Sequence, residues 1–352
     1  MSGIDDLLKQ PGAWLQIGSD NEVIVSSRVR LARNLAHQPF PGWAPDVMSL
    51  RMWQEMSVIL PAVLDDPKPM ALEMSRLSRV DRGVLVERHL ISRDLSVSKT
   101  PGSGLILKRD ETIAIMVNEE DHLRLQAMSP GLVLRDLWSR IDLIDTAIEQ
   151  RATYAYSSRL GYLTACPTNV GTGMRASVML HLPGLVLMNE ISSIIKGVNK
   201  IGLAVRGLWG EGTDASGNMF QISNQTTLGE REENIIGRLE QIVLEIADHE
   251  KNARARLLQQ RENRLRDHIG RAMGILTHAF MLNSRETLDL LSALRLGIDM
   301  GIVVDWPKNL LDELFLLIQP GHLQKLGGRH IGSEKRDLAR ARLVRERLAL
   351  RQ

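Results

Sequence analysis

The chain has 352 residues, of which 43% are hydrophobic and 24% charged, and its formal net charge is +2. This composition is typical of a globular protein that is long enough for two domains with cores of their own, and so small a net charge does not indicate nucleic-acid binding. No run approaches the roughly 20 apolar residues of a membrane span, and residues 1–16 lack the basic start and apolar core of a signal peptide, so we expect a cytoplasmic protein without membrane segments.

Short apolar runs alternate with turn residues over the first two thirds of the chain. Leu105 to Leu107 and Ile113 to Val117 predict a hairpin, and Met219 to Ser223 predicts a further strand. Helical patterns over 130–151 and 175–198 lie between the strands. The sequence therefore predicts a mixed domain of strands and helices.

Charged segments follow three of the apolar runs. Ser26-Ser27-Arg28-Val29-Arg30 follows Val23 to Val25, and Asn118-Glu119-Glu120-Asp121-His122-Leu123-Arg124 follows Ile113 to Val117. A third segment, Val205-Arg206-Gly207-Leu208-Trp209-Gly210-Glu211-Gly212, follows Ile201 to Ala204. Each predicted strand thus delivers charged side chains at its end.

A fourth polar segment, residues 166–176, contains the only cysteine of the chain, Cys166, together with two glycines and Arg175. A single cysteine forms no internal disulfide, so Cys166 is either a small buried hydrophobe or a working thiol. Glycines beside an arginine indicate a place where the backbone approaches a ligand closely and a cation meets an anion.

Nearly everything after residue 227 has helical character. Thr227 with Glu230 forms a capping-box pattern, and an apolar face then recurs at helical spacing up to Ile246. The charged stretch 248–266 extends this helix as a solvated connector. Asn283 with Glu286 predicts the start of a further helix, and two more helices are predicted at 310–318 and from 333 onward. We place a domain boundary near residue 255.

The segments around Cys166 and Glu120 resemble the hallmarks of the ATP:guanido phosphotransferase family, which contains the kinases of creatine and arginine. The resemblance rests on Cys166-Pro167-Thr168-Asn169-Val170-Gly171-Thr172 with Arg175, and on the run from Asn118 to Arg124. It implies an α+β fold, in which an antiparallel-sheet catalytic domain flanked by helices spans 1–255 and an all-helical C-terminal domain spans 256–352. It also implies ATP and Mg²⁺ as the nucleotide and the metal.

The resemblance assigns the ATP phosphates to five arginines, each inside a matching motif. These are Arg28, Arg30, Arg124, Arg175 and Arg206. Arginine suits this task because its planar fork keeps its charge and donates two parallel hydrogen bonds. His89 matches the family histidine beside the adenine, although a plain structural histidine explains that shorter match equally well.

The acceptor guanidinium requires carboxylates that align one nitrogen and accept its proton. Glu120 and Glu211 correspond to the catalytic pair of the family. Glu119 corresponds to the neighbouring residue that contacts the water shell of magnesium. The magnesium ion itself is held by ATP and water, without direct protein ligands. Cys166 corresponds to the reactive cysteine beside the guanidinium. Glu211 lies between two glycines, which fits a residue that closes onto substrate.

Two departures from the creatine and arginine kinases narrow the acceptor. The first motif begins at residue 26, which leaves no room for their N-terminal helical domain, and about a hundred helical residues follow the catalytic domain. This arrangement is similar to that of the bacterial protein arginine kinases. It implies protein substrates with exposed arginines, such as a heat-shock repressor, and a phosphoarginine mark for the ClpC-ClpP protease during stress. It also implies a ClpC-type unfoldase as partner, a small activator protein and a homodimer.

The C-terminal segment 333–352 carries seven lysines and arginines against three acidic residues. Within it, Arg336-Asp337-Leu338-Ala339-Arg340-Ala341 matches the motif by which these kinases bind phosphoarginine. The basic side chains would take the phosphate and Asp337 the guanidinium, which makes Arg336, Asp337 and Arg340 candidates for an allosteric sensor of the product. A helical ion pair between Asp337 and Arg340 explains the same residues without a ligand.

Three hypotheses for the function therefore compete. The first is a protein arginine kinase, and the second is a kinase of free arginine or another small guanidine. The third is a non-catalytic adaptor that reads phosphoarginine, against which the intact set of Glu120, Glu211, Cys166 and five arginines argues.

Overall fold

A computed structural model describes residues 3–15, 22–207, 215–328 and 331–349. Its strands are β1 (Ile24–Arg33), β2 (Met70–Glu73), β3 (Gly104–Leu107), β4 (Ile113–Val117), β5 (Leu123–Pro130), β6 (Tyr156–Ser157), β7 (Gly161–Tyr162), β8 (Met174–His181), β9 (Leu203–Gly207) and β10 (Met219–Asn224). Its helices are α1 (Gly3–Leu7), α2 (Asp46–Val63), α3 (Arg79–Glu87), α4 (Arg93–Val97), α5 (Leu134–Glu149), α6 (Pro183–Leu187), α7 (Ile191–Lys200), α8 (Glu232–His278), α9 (Ser284–Asp299), α10 (Lys308–Leu317), α11 (Pro320–Leu326) and α12 (Ser333–Ala349).

Eight of the strands form one sheet in the order β2-β3-β4-β5-β1-β8-β10-β9. Strands β2 to β5 pair antiparallel, each with the next in the chain. Between β1 and β8, the amide of Ala32 bonds the carbonyl of Gly173 and that of His181 bonds Val23, which is an antiparallel arrangement as well. The predicted α+β class, with an antiparallel sheet, flanking helices and a helical C-terminal region, is confirmed.

The contacts divide the chain into two compact units. The first comprises Met1–Trp14, Ser27–Ser177 and Ser223–Glu240, and the second comprises Leu15–Ser26, Val178–Ile222 and Gln241–Gln352. The predicted boundary near residue 255 lies within α8 and stays a prediction.

The first unit has an apolar core against the sheet. Strand β4 is buried along its whole length, and α5 buries Leu134, Leu137, Ile141, Asp145 and Ile148 on one face. Because these positions recur every three or four residues, one stripe of the helix faces the core while the other faces solvent.

The second unit contains a buried ionic network among α8, α9 and α10. Arg254 Nε lies 2.7 Å from Glu250 and its Nη1 lies 3.3 Å from Asp299, whose other oxygen is 2.9 Å from Lys308 Nζ. Glu250 also accepts the amides of Gly184 and Leu185 at the start of α6. Buried charges of this kind are tolerated because each has a partner of opposite sign.

Two sequence-based predictions of local structure are wrong. Residues 175–198 form β8, α6 and α7 instead of one helix, because a continuous apolar run looks the same in a buried strand as in a buried helix until Pro183 interrupts it. Thr227 does not cap a helix, since α8 begins at Glu232 and the Thr227 hydroxyl donates to the carbonyls of Thr168 and Val170. The predicted helices near 283, 310 and 333 are present, and the Asn283 side chain caps the first of them by accepting the Glu286 amide.

Candidate functional site

Four of the predicted arginines lie on three adjacent strands of the first unit. Arg28 and Arg30 are on β1, Arg124 is on β5 and Arg175 is on β8, and the sheet order places β1 between the other two strands. Because alternate residues of a strand point to the same face, Arg28 and Arg30 share one face of β1, while Val29 and Leu31 are buried on the other. We refer to these four residues as the arginine cluster.

The charges of the arginine cluster act on one another. Burial, together with the charges of Arg175 and Arg124, lowers the pKa of Arg28 to about 10. Burial and the charges of Arg28, Arg124 and Arg175 lower the pKa of Arg30 well below its ordinary value. The Nε of Arg30 is buried and makes no hydrogen bond within the described part of the chain. Repelling cations with an unused donor fit a polyanion such as the triphosphate of ATP.

A carboxylate turn, residues 118–122, joins β4 to β5 beside the cluster. Arg124 Nη1 lies 2.7 Å from an oxygen of Glu119, and its Nη2 lies 2.9 Å from an oxygen of Glu120. The Glu119 side chain is 3% exposed, whereas that of Glu120 is 46% exposed and open to a ligand. Apart from this ion pair with Arg124, neither Glu119 oxygen accepts a hydrogen bond among the described residues, so lone pairs remain that could accept from the water shell of Mg²⁺.

A buried carboxylate, Asp121, connects this turn to two other segments. Its Oδ1 accepts hydrogen bonds from Asn34 Nδ2 at 2.6 Å and from the amide of Ala165 at 2.7 Å. The Asn34 side chain also accepts the amide of His122 at 2.9 Å and donates to the carbonyl of Leu163. We call Asp121 and Asn34 the positioning pair, because together they join the end of β1, the carboxylate turn and the segment that leads into Cys166.

The loop from Cys166 to Gly173 is held at several further points. Cys166 Sγ lies 3.1 Å from Thr168 Oγ1, and the carbonyl of Thr168 accepts the Thr227 hydroxyl at 3.0 Å. Gly171 has a φ of +114°, and a Cβ built there would lie 2.4 Å from the Thr227 carbonyl oxygen. A glycine is therefore required at this position. The sequence analysis expected the backbone to approach a ligand here, whereas the structure shows it approaching the backbone of Thr227.

A buried cation, Arg33, anchors the same loop from β1. Its Nη2 lies 2.7 Å from Asp145, its Nη1 donates to the carbonyl of Thr172 at 2.9 Å, and its guanidinium carbon lies 3.6 Å from the ring centroid of Tyr162. Only 1% of the Arg33 side chain is exposed. The anchoring contacts of this arginine are thus structural, in contrast to the arginine cluster.

His89 follows α3 in a left-handed conformation with a φ of 59°. Its backbone carbonyl accepts Gln126 Nε2 at 2.7 Å, and its ring packs edge-on against buried Trp14 with centroids 4.8 Å apart. Burial and the charges of Arg28 and Arg30 lower the pKa of His89 to about 3. His89 therefore lies beside the arginine cluster as a neutral imidazole.

The remaining predicted site residues belong to the second unit. Arg206 is exposed on β9, and Glu211 lies in 208–214, outside the described residues. Arg336, Asp337 and Arg340 lie on α12, where Arg340 pairs with Asp337 at 2.5 Å. Arg340 is 1% exposed and donates to the carbonyls of Ile318 and Leu282, so it anchors the helix.

Sequence reasoning missed Asp121, Asn34 and Arg33. Asp121 lies inside the run from Asn118 to Arg124, and Arg33 and Asn34 lie three and four residues after Arg30. The motifs therefore pointed to the right neighbourhood of the chain. Sequence alone does not distinguish a carboxylate that will face a ligand from one that will be buried among backbone amides.

Two family models match the chain. The model of the ATP:guanido phosphotransferase C-terminal catalytic domain matches residues 54–253, and that of the protein-arginine kinase McsB C-terminal domain matches residues 262–352. The chain is 44% identical over 337 residues to a protein-arginine kinase of Halothermothrix orenii, covering 94% of each chain. It is 44% identical over 349 residues to that of Moorella thermoacetica, covering 97% of this chain and 99% of the relative.

Solved structures of two other kinases resemble the chain. A duplicated taurocyamine kinase of Schistosoma mansoni, with bound transition-state analog components, aligns with a TM-score of 0.60 at 27% identity over 70% of this chain. The match spans 35% of that duplicated kinase. A lombricine kinase aligns with a TM-score of 0.59 at 25% identity over 72% of this chain and 71% of its own. Within the described ranges, no helix has the length and apolar character needed to cross a membrane.

The lowered pKa of His89 predicts a pH-dependent loss of stability. Between pH 6.5 and 3 the unfolded chain binds a proton that folded His89 refuses, so this residue lowers the free energy of unfolding by about 1.4 kcal/mol per pH unit as the pH falls. Urea unfolding of the wild type and His89→Gln between pH 7 and pH 5 should show the smaller acid loss in the variant. His37→Gln, at an exposed histidine, is the control. Parallel stability curves for the wild type and His89→Gln would contradict the assignment.

Proposed function

The chain belongs to the ATP:guanido phosphotransferase family, among its protein-arginine kinases, and on that premise we propose that Glu120, Glu211 and Cys166 direct the γ-phosphoryl group of Mg-ATP onto arginine side chains of other proteins. The observation that carries this proposal is the continuity of the arginine cluster with the carboxylate turn through Arg124. A binding site for a polyanion thus lies directly beside carboxylates that suit a guanidinium.

We assign the phosphates of the nucleotide to the arginine cluster and, by its family motif alone, to Arg206. Phosphoryl transfer depends mostly on positioning and on stabilising negative charge, which fixed guanidinium groups supply. The mutual repulsion within the cluster is relieved when a polyanion binds, so part of the binding energy of ATP is built into the folded chain. With Mg-ATP bound, Glu119 would accept hydrogen bonds from the water shell of Mg²⁺, and His89 would lie beside the base.

The acceptor side must solve a protonation problem. An arginine side chain is protonated at physiological pH because its pKa is above 12, so it has no free lone pair for attack. A carboxylate must take a proton from the attacking nitrogen as the nitrogen-phosphorus bond forms, the bond from the γ-phosphorus to the bridging oxygen breaks and ADP leaves. We assign this task to Glu120 and Glu211 on the strength of their family motifs, as two carboxylates that could share one proton, and the alignment of the guanidinium to Cys166.

Protein-bound arginine is favoured over the two alternatives. A small-guanidine kinase would use the same catalytic residues, but the match of residues 262–352 to the C-terminal domain of protein-arginine kinases supports a protein acceptor. A non-catalytic adaptor would not need the exposed Glu120 carboxylate next to the arginine cluster.

The wider role is what the resemblance to the protein-arginine kinases implies. We infer that phosphoarginine marks proteins, a heat-shock repressor among them, for a ClpC-type unfoldase and its ClpP protease during cytoplasmic stress. The same proposal includes a catalytic domain at 1–255, a homodimer formed through the domain 256–352, and a small activator protein. All of it requires that phosphoarginine is formed on a protein, and the transfer assay measures this product.

The contacts of helix α12 support a product sensor in which Arg336 and Asp337 bind the ligand and Arg340 has a supporting role. Arg336 is partly exposed and donates to the carbonyl of Ile331, and the Asp337 side chain is 28% exposed. Arg340 holds Asp337 in place from the protein interior. We therefore assign the phosphate of bound phosphoarginine to Arg336 and its guanidinium to Asp337, with Arg340 as the residue that positions Asp337.

The transfer reaction tests the proposed function directly. Purified chain with Mg-ATP should label an arginine-rich protein and leave free arginine nearly unlabelled, when the product is analysed near neutral pH to preserve the acid-labile N-P bond. Glu120→Gln should lower kcat at least 100-fold, because the amide cannot accept the proton. Glu55→Gln is a matched control, since Glu55 is also an exposed carboxylate paired with an arginine four positions away.

Three results would separate the hypotheses. Label on free arginine alone would establish the small-guanidine kinase, and label on neither acceptor would favour the adaptor. Full activity of Glu120→Gln would remove Glu120 from the catalytic pair.

The sensor predicts a separation of activation from basal activity. Asp337→Ala should abolish stimulation by added phosphoarginine and keep the basal rate of transfer. Glu346→Ala, which removes an exposed partner of Arg342 on the same helix, should leave both unchanged. Equal loss of stimulation and basal rate in Asp337→Ala would contradict the sensor and favour the ion pair as a purely structural feature.

A further inference from the structure

An unusual apolar surface lies between two points of attachment to the carboxylate turn. Trp43 is 89% exposed, more than any other large apolar side chain in the described part of the chain, and Val47 is 75% exposed. Met48 and Leu50 add partly exposed apolar area. We call Trp43, Val47, Met48 and Leu50 the Trp43 surface. Exposure of several neighbouring large apolar side chains marks an interaction site more often than it marks a plain surface.

The Trp43 surface is fixed to the turn that carries Glu119 and Glu120. On one side, His122 Nε2 lies 3.0 Å from the Pro39 carbonyl oxygen, and Phe40 packs edge-on against the His122 ring with centroids 6.1 Å apart. His122 Nδ1 accepts the amide of Leu35, so Nε2 carries the proton and donates to Pro39.

The other end of the surface is held by the first residue of the turn. Asn118 Nδ2 donates to the carbonyl of Ser49 at 2.9 Å and to that of Gly102 at 3.0 Å. Gly102 packs so closely on Ser49 that a Cβ on it would lie 2.5 Å from the Ser49 carbonyl oxygen. Residues 39–49 therefore bridge the carboxylate turn from His122 to Asn118, and Trp43 occupies the middle of this bridge.

The bridge itself is ordered in a way that presents the indole outward. The amides of Trp43 and Ala44 both bond the carbonyl of Phe40, which closes a turn, and α2 begins two residues later. A tryptophan loses little conformational entropy on binding because it has only two side-chain torsions, and it is enriched at the centres of protein interfaces.

The charges beside the surface indicate what it binds. Exposed Asp46 lies within it, and the Glu120 carboxylate, 46% exposed, lies on the turn that the bridge spans. Apolar contact next to exposed carboxylates complements a peptide in which a cation stands beside apolar side chains. From this juxtaposition we propose that the Trp43 surface binds the residues that flank the acceptor arginine, so that the kinase prefers arginines with aromatic or aliphatic neighbours. The inference rests on the proposed transfer to protein arginine.

Two synthetic peptides test the surface. One carries its arginine between phenylalanine and leucine, and the other carries it between glycine and serine. The wild type should show a KM about tenfold lower for the first peptide, a difference of the size expected for one well-packed interface residue. Trp43→Ala should raise the KM for the first peptide about tenfold, to that of the second, and should leave kcat and the KM for ATP unchanged. Trp43→Phe should keep most of the preference.

Controls separate the surface from the rest of the chain. Leu143→Ala removes a 72% exposed leucine on α5 and should leave the preference intact. Thermal unfolding of Trp43→Ala should match the wild type, because substitution of an exposed side chain costs little stability. Val47→Ser provides a second substitution within the surface and should weaken the preference in the same direction.

Four outcomes would overturn the inference. A wild type with equal KM for the two peptides, or Trp43→Ala with an unchanged preference, would contradict the surface and leave the kinase function standing. A Trp43→Ala chain that sediments as a smaller oligomer would show that a second copy of the chain covers Trp43. Transfer to neither peptide nor protein would contradict the proposed function itself, and the surface with it.

Discussion

The geometry of the site depends on one buried carboxylate. Asp121 is fully buried and accepts hydrogen bonds from Asn34 and from the amide of Ala165, so three segments distant in sequence meet at one oxygen atom. One segment ends β1, which carries Arg28 and Arg30, the second carries Glu119 and Glu120, and the third leads into Cys166. A hydrogen bond to a charged acceptor is stronger than a neutral one, and its loss inside the protein leaves donors unsatisfied. The relative positions of the arginine cluster, the carboxylate turn and the Cys166 segment therefore depend on Asp121 and Asn34.

The arginine cluster imposes the opposite requirement, since the fold must hold together cations that repel one another. Burial and like charge lower the pKa of Arg28 and of Arg30, and the charge of Glu119 partly offsets this lowering for Arg30. The strand that carries Arg28 and Arg30 is held by its surroundings. Val29 and Leu31 are buried on the other face of β1, and Arg33 near its end forms an ion pair with Asp145. Charges that the fold already holds in place can stabilise a polyanion without any rearrangement of the protein. Phosphoryl transfer depends on such preorganised charges.

The sequence motifs led to candidate residues but not to the residues that hold them in place. The motifs around Arg28, Glu120 and Cys166 are local, so a short match is enough to predict these residues as site candidates. Asp121 stood in the same run as Glu120, but its role depends on Asn34 and Ala165, which only the fold brings near. Thr227 looked like a helix cap because its spacing to Glu230 is right, yet its hydroxyl satisfies carbonyls of the Cys166 loop instead. Arg340 looked like a ligand-binding cation and is a buried anchor.

We expect Asp121 to position Glu120 and Cys166 for transfer without itself contacting the substrates. The most direct measurement is the steady-state rate of phosphoryl transfer to protein by Asp121→Asn and Asp121→Ala, with thermal unfolding of each. The amide oxygen of asparagine can keep both hydrogen bonds, so Asp121→Asn should lose roughly tenfold in kcat and Asp121→Ala at least 100-fold, with the KM for ATP unchanged in both. Equal losses in the two variants, or a loss carried by the KM for ATP, would contradict the claim.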